Sequence, residues 1–271
     1  MTGSPASSAP VLLVTGASSG IGKATAQLFA KEGYRVVLAA RRIDRLEELA
    51  QEIRQGGGEA LPVAADVSNL DDIQRMVAAG IETYGQIDVL LNNAGFGRLN
   101  WCENLDPIQD VQNQIQVNLT GLIWTAQTVL PHMKERRTGH IINMASIASL
   151  VATPTYSIYA ASKFGVRGFT DALRREVQPY GIHVSGIYPG GVRTEFSEIA
   201  GIQRKTGIKT PAFLRLEAED VARAIFGLDR HPRRMLVIPW MMKVGAWAAS
   251  LFPGLTDWIM IRGFVKRERG G

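Results

Sequence analysis

The chain of 271 residues is poor in cysteine and histidine, and it has no long uninterrupted apolar run. Its single cysteine, Cys102, excludes an intrachain disulfide and favours a reducing, cytoplasmic compartment. Its four histidines are scattered and none has a cysteine at ligand spacing, so no metal site is predicted. No apolar run reaches the ~18 residues of a membrane-spanning helix. No nucleic-acid-binding motif accompanies the basic residues, so no nucleic-acid partner is predicted.

Positive charge is concentrated near the end of the chain. Residues 230–271 hold eight Lys and Arg against two Asp and Glu, whereas residues 1–229 hold 22 against 23. The apolar fraction of 46% and the charged fraction of 20% are those of an ordinary globular chain. Residues 1–10 lack the basic start and apolar stretch of a signal peptide, and they are predicted to be a flexible arm.

Short β-branched runs alternate with longer amphipathic patterns along residues 11–239. The predicted strands are Val11–Thr15, Arg35–Ala40, Ala60–Ala64, Ile87–Asn92, His140–Met144, His183–Tyr188 and Leu236–Ile238. The predicted helices are Gly22–Glu32, Asp44–Gln55, Asn69–Tyr84 and Ser157–Tyr180, and an amphipathic stretch covers Ile108–Lys134. Continuously apolar strands are typical of a sheet that is covered on both faces. The pattern therefore predicts the α/β class: one Rossmann-type domain over 11–239, with a doubly wound parallel sheet and helices on both faces.

A glycine-rich turn follows the first strand and opens into the first helix. A bound pyrophosphate needs a close backbone approach, free amide N–H groups and a helix N-terminus, and glycines permit the first of these. The spacing differs from G-x-G-x-x-G, and the alternative is that the glycines form only a tight turn. The turn is nevertheless predicted to bind a dinucleotide through Gly16, Ser18, Ser19, Gly20, Ile21 and Gly22.

Two arginines directly follow the second strand, at the position that distinguishes NAD from NADP in this kind of fold. An acidic residue there binds the ribose 2′-hydroxyl of NAD, whereas an arginine accommodates the 2′-phosphate of NADP. The sequence has Arg41 and Arg42 and no acid before Asp44, so NADP(H) is predicted to be preferred over NAD(H). The alternative is that one arginine is solvated or stacks on adenine.

Tyr159 and Lys163 are four residues apart in a predicted helix and so share one face. An ammonium beside a phenol favours the phenolate, so the pKa of Tyr159 is expected to fall below its ordinary value of about 10. A phenol of this kind suits acid–base chemistry on an alcohol or a carbonyl. Ser146 follows the strand His140–Met144, at the sheet edge where such folds bind ligands, and could hold a substrate oxygen.

Taken together, these motifs resemble the short-chain dehydrogenase/reductase family over nearly all of residues 10–240. The cofactor turn, the Asp66-Val67 pair and the segment Asn92-Asn93-Ala94-Gly95 resemble family motifs in the same order. The family's catalytic tetrad is matched by Asn118, Ser146, Tyr159 and Lys163. The segment that cups the nicotinamide is matched by Pro189, Gly190, Val192 and Thr194.

The resemblance implies an NADP(H)-preferring oxidoreductase that interconverts a carbonyl and a primary or secondary alcohol. It implies that Tyr159 exchanges a proton with the substrate oxygen and that Ser146 orients this oxygen. Lys163 is implied to tune Tyr159 and to bind the nicotinamide ribose, and Asn118 to hold a water in a proton relay. A small-molecule substrate and a homodimer or homotetramer are also implied. A catalytically silent nucleotide-binding sensor, or a lipid-surface scaffold on the same fold, is the alternative.

Two segments near the end of the chain are less closely tied to the family pattern than the motifs above. Residues 194–217 resemble the family's substrate lid, and their apolar residues predict an apolar substrate. Residues 240–271, the C-terminal extension, are basic and rich in tryptophan, with Trp240, Val244, Trp247 and Leu251 at helical spacing. Such a pattern is typical of a helix at a lipid surface, but it also fits packing on the body, a cap on the pocket or a subunit contact. Packing or a subunit contact is favoured, with peripheral membrane contact as the second interpretation.

Overall fold

Seven strands form one parallel sheet in the computed structural model, which describes residues 9–196, 200 and 215–270. The strands are β1 Val11–Thr15, β2 Arg35–Ala40, β3 Glu59–Ala64, β4 Val89–Asn92, β5 Gly139–Met144, β6 Ile182–Pro189 and β7 Met235–Ile238. Their order is β3-β2-β1-β4-β5-β6-β7, and every neighbouring pair is parallel. The strand order reverses between β1 and β4, and ligands of such sheets bind beside that point. The predicted α/β fold with a parallel sheet is confirmed.

The helices connect the strands and cover both faces of the sheet. They are α1 Gly20–Lys31, α2 Ile43–Gln55, α3 Leu70–Tyr84, α4 (107–136), α5 Ser157–Val177, α6 Ala218–Arg230, α7 Met241–Leu251 and α8 Pro253–Met260. Within α4, wide π-type turns at Pro107–Gln112 and Gln116–Gly121 alternate with α-helical Asn113–Ile115 and Leu122–Arg136. Helix α8 continues through Ile261–Val265 and Lys266–Arg269.

The core has two layers because successive residues of each strand point to opposite faces. In β1, Leu12 and Val14 pack with α1, α2 and α6, while Val11 and Leu13 pack with α3, α4 and α5. All four of these side chains are completely buried. This two-sided burial explains why the strands are apolar throughout.

Helix α6 is absent from the sequence prediction, although its signals are present. Its N-terminus carries a capping box in which the Asp220 carboxylate accepts a hydrogen bond from the Glu217 N–H at 2.9 Å. Val221, Ile225 and Leu228 recur at helical spacing and are buried against the sheet. The predicted strand at Ile87 begins two residues later, at Val89, and α1 begins at Gly20, two residues before its predicted start.

Two predicted segments lie largely outside the described residues. These are the arm at residues 1–10, of which residues 1–8 are not described, and the lid at 194–217, of which 197–199 and 201–214 are not described. Within the described ranges, no single helix is long and apolar enough to cross a membrane. Met241–Leu251 and Pro253–Arg269 meet the length and composition criteria only as a pair, and the pair is bent by 107°.

Candidate active site

A cleft of about 1530 Å³ lies at the carboxyl edge of the sheet, where the strand order reverses. All predicted catalytic and cofactor-binding residues line it except Gly22 and Asn118. The lining set comprises Gly16, Ser18, Ser19, Gly20, Ile21, Arg41, Arg42, Asp66, Val67, Asn93, Ala94, Gly95, Ser146, Tyr159, Lys163, Pro189, Gly190, Val192 and Thr194. The fold therefore brings predicted site residues from Gly16 to Thr194 together in one cleft.

The glycine-rich turn presents the N-terminus of α1 to the cleft. Ser19 occupies the N-cap position without a side-chain capping hydrogen bond, so its side chain leaves the first amide groups of α1 uncapped. A Cβ added at Gly22 would lie 2.2 Å from the Gly16 carbonyl oxygen, so this position accepts no side chain. The Asn93 side chain donates to the carbonyl oxygens of Thr15 and Gly16 at 3.0 and 3.2 Å and fixes the turn. These features fit the phosphates of a dinucleotide.

Asn118 lies beneath the wall of the cleft and is completely buried. Its side-chain oxygen accepts from the Phe96 N–H at 2.9 Å, and its amide nitrogen donates to the Phe96 carbonyl at 2.8 Å. The same nitrogen lies 3.3 Å from Ser162 Oγ. These bonds hold the segment after β4 in place, and the relay role of Asn118 stays a prediction.

Tyr159, Ser146 and Lys163 come together on the opposite wall. Tyr159 and Lys163 are four residues apart on α5, and Ser146 begins the short helical turn Ile147–Ser149 after β5. All three side chains are at least nine-tenths buried. Ser146 Oγ accepts from the Ala148 N–H at 3.1 Å, which leaves its own hydroxyl proton available to donate.

Burial controls the proton affinities of this group, and the expected lowering of the tyrosine pKa was wrong. Burial raises the pKa of Tyr159 to about 12, although a hydrogen bond with Ser146 partly opposes the rise. Burial also lowers the pKa of Lys163 to about 8. The Lys163 ammonium donates to the Met144 carbonyl at 2.8 Å and lies 5.8 Å from the centre of the Tyr159 ring. Desolvation is therefore the dominant cause of both pKa shifts.

Arg42 reaches the cofactor turn, while Arg41 points mainly to solvent. The Arg42 guanidinium donates to Ser18 Oγ at 3.0 Å and to Ser19 Oγ at 3.3 Å. It also lies 3.4 Å from the Glu195 carboxylate, which accepts from Arg45 at 2.8 Å. The Arg41 side chain is 77% exposed and lies 3.9 Å from the Asp66 carboxylate.

The segment after β6 closes against the turn from the other side of the cleft. A Cβ added at Gly20 would lie 3.1 Å from Thr194 Cγ2, so Thr194 sits directly on the turn. Val192 forms a parallel bridge with Leu216, which holds the segment just before the predicted lid to the lid's end. The lid's remaining residues, 197–199 and 201–214, lie outside the described part of the chain.

The C-terminal extension contributes cleft residues that the sequence prediction did not assign. Met242 of α7 packs on Gly190: a Cβ added there would lie 2.5 Å from the Met242 sulfur. Met260, Gly263 and Phe264 line the same cleft. The helical spacing of the apolar residues predicted helices, but it did not reveal which face meets the body.

The short chain dehydrogenase family model matches residues 10–204. This chain belongs to the short-chain dehydrogenase/reductase family. An uncharacterized oxidoreductase of Staphylococcus saprophyticus is 36% identical over 238 residues, which are 86% of this chain and 95% of the relative. The family resemblance and the enzyme class are confirmed: the protein is an oxidoreductase that acts on CH–OH donors with NAD(P).

Solved structures extend the likeness to the fold of almost the whole chain. A short-chain dehydrogenase/reductase of Burkholderia phymatum in complex with NAD has a TM-score of 0.82 at 25% identity, covering 92% of this chain and 95% of its own. An alcohol dehydrogenase of Thermococcus sibiricus complexed with 5-hydroxy-NADP has a TM-score of 0.76 at 28% identity, covering 84% and 95%. The two neighbours carry different nicotinamide nucleotides.

Proposed function

We propose that the protein is an NADP(H)-preferring oxidoreductase that interconverts an apolar carbonyl compound and its alcohol, with Tyr159 as the general acid and base. The observation that carries the proposal is the meeting of Tyr159, Ser146 and Lys163 in one cleft with an uncapped helix N-terminus. The bound nicotinamide supplies or accepts the hydride. The chain's own residues bind the nucleotide, orient the substrate and transfer the proton.

The proton chemistry follows from the state of Tyr159. Because its pKa is raised to about 12, Tyr159 holds its proton at neutral pH and can donate it from Oη to a carbonyl oxygen. The Ser146 hydroxyl donates a hydrogen bond to the same oxygen and stabilises the charge that develops there. In alcohol oxidation the proton returns to Tyr159. The protonated Tyr159 present at neutral pH is the form that carbonyl reduction requires.

The preference for NADP(H) is proposed from Arg42. Its guanidinium lies beside Ser18 and Ser19 at the cofactor turn, where a 2′-phosphate could accept hydrogen bonds from all three side chains. Arg41 adds positive charge at the end of β2. No carboxylate stands at the end of β2 before Asp44, in the position that would bind a ribose hydroxyl.

The apolar character of the substrate is proposed from the wall opposite the cofactor turn. Aromatic and aliphatic side chains dominate this wall, with Tyr159 packed 5.6 Å from the ring of Phe196 and 6.2 Å from that of Tyr156. Burying apolar substrate surface here supplies binding energy without specific polar partners. The wall comprises Leu99, Tyr156, Phe196, Met242, Met260 and Phe264.

Replacing Tyr159 with phenylalanine tests the catalytic assignment. Tyr159→Phe removes the proton donor but keeps the ring, so turnover should fall by roughly 100-fold or more while NADPH affinity stays nearly unchanged. The measurement is NADPH absorbance with a panel of carbonyl compounds, beside a fluorescence titration of NADPH. Tyr156→Phe is the matched control, because Tyr156 lines the same cleft.

Normal turnover by Tyr159→Phe contradicts the assignment. If wild-type protein binds NADPH but oxidises it with no member of the panel, the catalytically silent sensor becomes the better interpretation.

Replacing the two arginines tests the cofactor preference. Arg42→Ala removes the donor at the turn and should weaken NADPH binding by about tenfold, while NADH binding changes little. Arg41→Ala should act in the same direction. Arg223→Ala, which removes an arginine from the exposed surface of α6, is the control. Equal losses for both nucleotides contradict the phosphate role.

A homodimer or homotetramer is proposed from the family to which the chain belongs. Light scattering of the purified full-length protein measures this directly. A mass equal to one chain across the micromolar range contradicts it.

A further inference from the structure

The C-terminal helix pair, α7 and α8 with residues 261–269, lies along one side of the cleft. It is attached at its start, where Met242 packs on Gly190. It is attached again near its end, where Arg269 bonds the Glu103 carboxylate at 2.7 Å and stacks 4.0 Å from the centre of the Trp101 ring. Between these points its inner face lines the cleft. The pair therefore forms part of one wall of the cleft.

The outer face of the same pair is apolar and exposed. Among the described residues, ten of the fourteen large hydrophobic side chains that are exposed lie between Trp240 and Ile261. Trp240 and Trp247 are 72% and 69% exposed. An exposed apolar patch of this kind marks an interaction surface. The ten residues are Trp240, Met241, Val244, Trp247, Leu251, Phe252, Leu255, Trp258, Ile259 and Ile261, of which Ile259 also lines the cleft.

The charge around this face identifies its partner. Lys243, Arg262, Lys266 and Arg267 are all exposed along the pair, against one exposed acid, Asp257. Two copies of this face pressed together would bring these like charges close, whereas anionic lipid headgroups complement them. Tryptophan and aliphatic side chains bordered by Lys and Arg are the composition of a helix lying in a membrane interface.

The shape of the pair fits one leaflet rather than a span. Helix α7 has 11 residues, and at 1.5 Å per residue it extends about 16 Å, roughly half of the ~30 Å hydrocarbon core. The bend of 107° then turns α8 roughly perpendicular to α7, so the two helices do not form one straight span. Both helices can therefore lie in the interface with their outer faces in lipid.

We propose that the outer face of the C-terminal helix pair docks on an anionic lipid surface and places the mouth of the cleft beside the bilayer. Apolar substrates then pass between the lipid and the cleft along the inner face of the same helices. This second step rests on the proposed oxidoreductase function, whereas the docking does not.

Co-sedimentation of the full-length protein with vesicles tests the docking. The protein should bind vesicles of phosphatidylcholine with phosphatidylglycerol at least tenfold more tightly than vesicles of phosphatidylcholine alone, and added salt should reduce the difference. The triple variant Trp247→Gln, Leu251→Gln and Leu255→Gln should bind at least tenfold more weakly. The matched control is Leu70→Gln with Ile108→Gln, which changes exposed apolar residues on the body.

A charge-reversal variant separates the electrostatic contribution to vesicle binding from the apolar contribution. Lys243→Glu, Lys266→Glu and Arg267→Glu should abolish the preference for phosphatidylglycerol. NADPH binding verifies that each variant is folded. Failure of the wild-type protein to sediment with anionic vesicles overturns the proposal, as does equal binding by the triple variant. If the triple variant instead loses self-association that the wild type shows without vesicles, the face is a subunit interface and the proposal is wrong.

Substrate access is tested with a long-chain aldehyde dissolved in the vesicles and a short, water-soluble ketone. Anionic vesicles should raise turnover of the aldehyde by wild type several-fold more than turnover by the triple variant, while the ketone is reduced equally by both. Equal aldehyde turnover overturns the access step. Absence of turnover with both compounds by a protein that sediments overturns the proposed function and leaves the docking in place.

Discussion

Single residues in the cleft take their chemistry from burial more than from their neighbours in sequence. The four-residue spacing correctly puts Tyr159 and Lys163 on one face of α5, but the Lys163 ammonium is bonded to the Met144 carbonyl across the fold. Burial raises the pKa of Tyr159, whereas the spacing alone predicted that it would be lowered. Loss of solvation depends on every atom packed around a side chain, which no sequence spacing records.

Glu195 supplies a prediction at the same scale. Its carboxylate lies against Arg42 and Arg45, and the bond from Arg45 holds the pKa of Glu195 below its ordinary value. The Glu195 carboxylate therefore competes with a 2′-phosphate for the Arg42 guanidinium. Glu195→Gln should tighten NADPH binding by about two- to fivefold, the range of an exposed ion pair, with NADH binding unchanged.

Parallel titrations of both nucleotides measure this effect. Glu217→Gln is the control, because Glu217 pairs with Arg193 at 3.4 Å and contacts neither Arg42 nor Arg45. Weaker NADPH binding by Glu195→Gln contradicts the competition.

At the scale of elements, local signals fixed most boundaries. Helix α3 begins where the Asn69 side chain accepts from the Asp71 N–H at 2.9 Å, and it ends at Gly85, whose φ of 77° suits glycine. Both signals can be read directly from the sequence. Helix α6 also has a local signal that sequence analysis could have used, because Val221, Ile225 and Leu228 carry helical periodicity.

Contacts between distant elements could not be predicted from local sequence patterns. Asp229 of α6 accepts from Tyr34 at 2.7 Å and lies 3.0 Å from His140 Nδ1 on β5. His140 Nε2 lies in turn 2.8 Å from Ser185 Oγ on β6. Four residues separated by up to 195 positions form this buried network. Only the packed sheet brings them within hydrogen-bonding distance.

Over the whole molecule, buried tyrosines predict a loss of stability in alkali. Burial is the largest cause that raises the pKa of Tyr34, Tyr84, Tyr159 and Tyr188, the last two to about 12. The native state thus holds protons that the unfolded state releases above pH ~10. Their contribution is complete below pH 10 and is lost as pH rises towards 12. Lys163, with its lowered pKa, acts in the opposite sense between about 8 and 10.5.

Urea unfolding at pH 9, 10 and 11 measures this loss. Each tyrosine shifted by two units contributes about 2–3 kcal/mol over the full window, so the free energy of unfolding should fall steadily above pH 10. Tyr188→Phe should make that fall shallower, because it removes one buried group without altering the catalytic cluster. A constant free energy of unfolding up to pH 11 contradicts the prediction.

The sequence alone determined the parallel α/β fold, the family, the glycine-rich turn and most of the residues that line the cleft on the catalytic domain. These depend on local physics: apolar runs that require two covered faces, glycines that only a close approach explains, and spacings along one helix. The tertiary structure decided the proton affinities in the cleft, the pairing of Arg42 with Glu195 and the position of the C-terminal extension. Each of these depends on which distant groups share a surface and how much water remains between them, and only the packed chain specifies that.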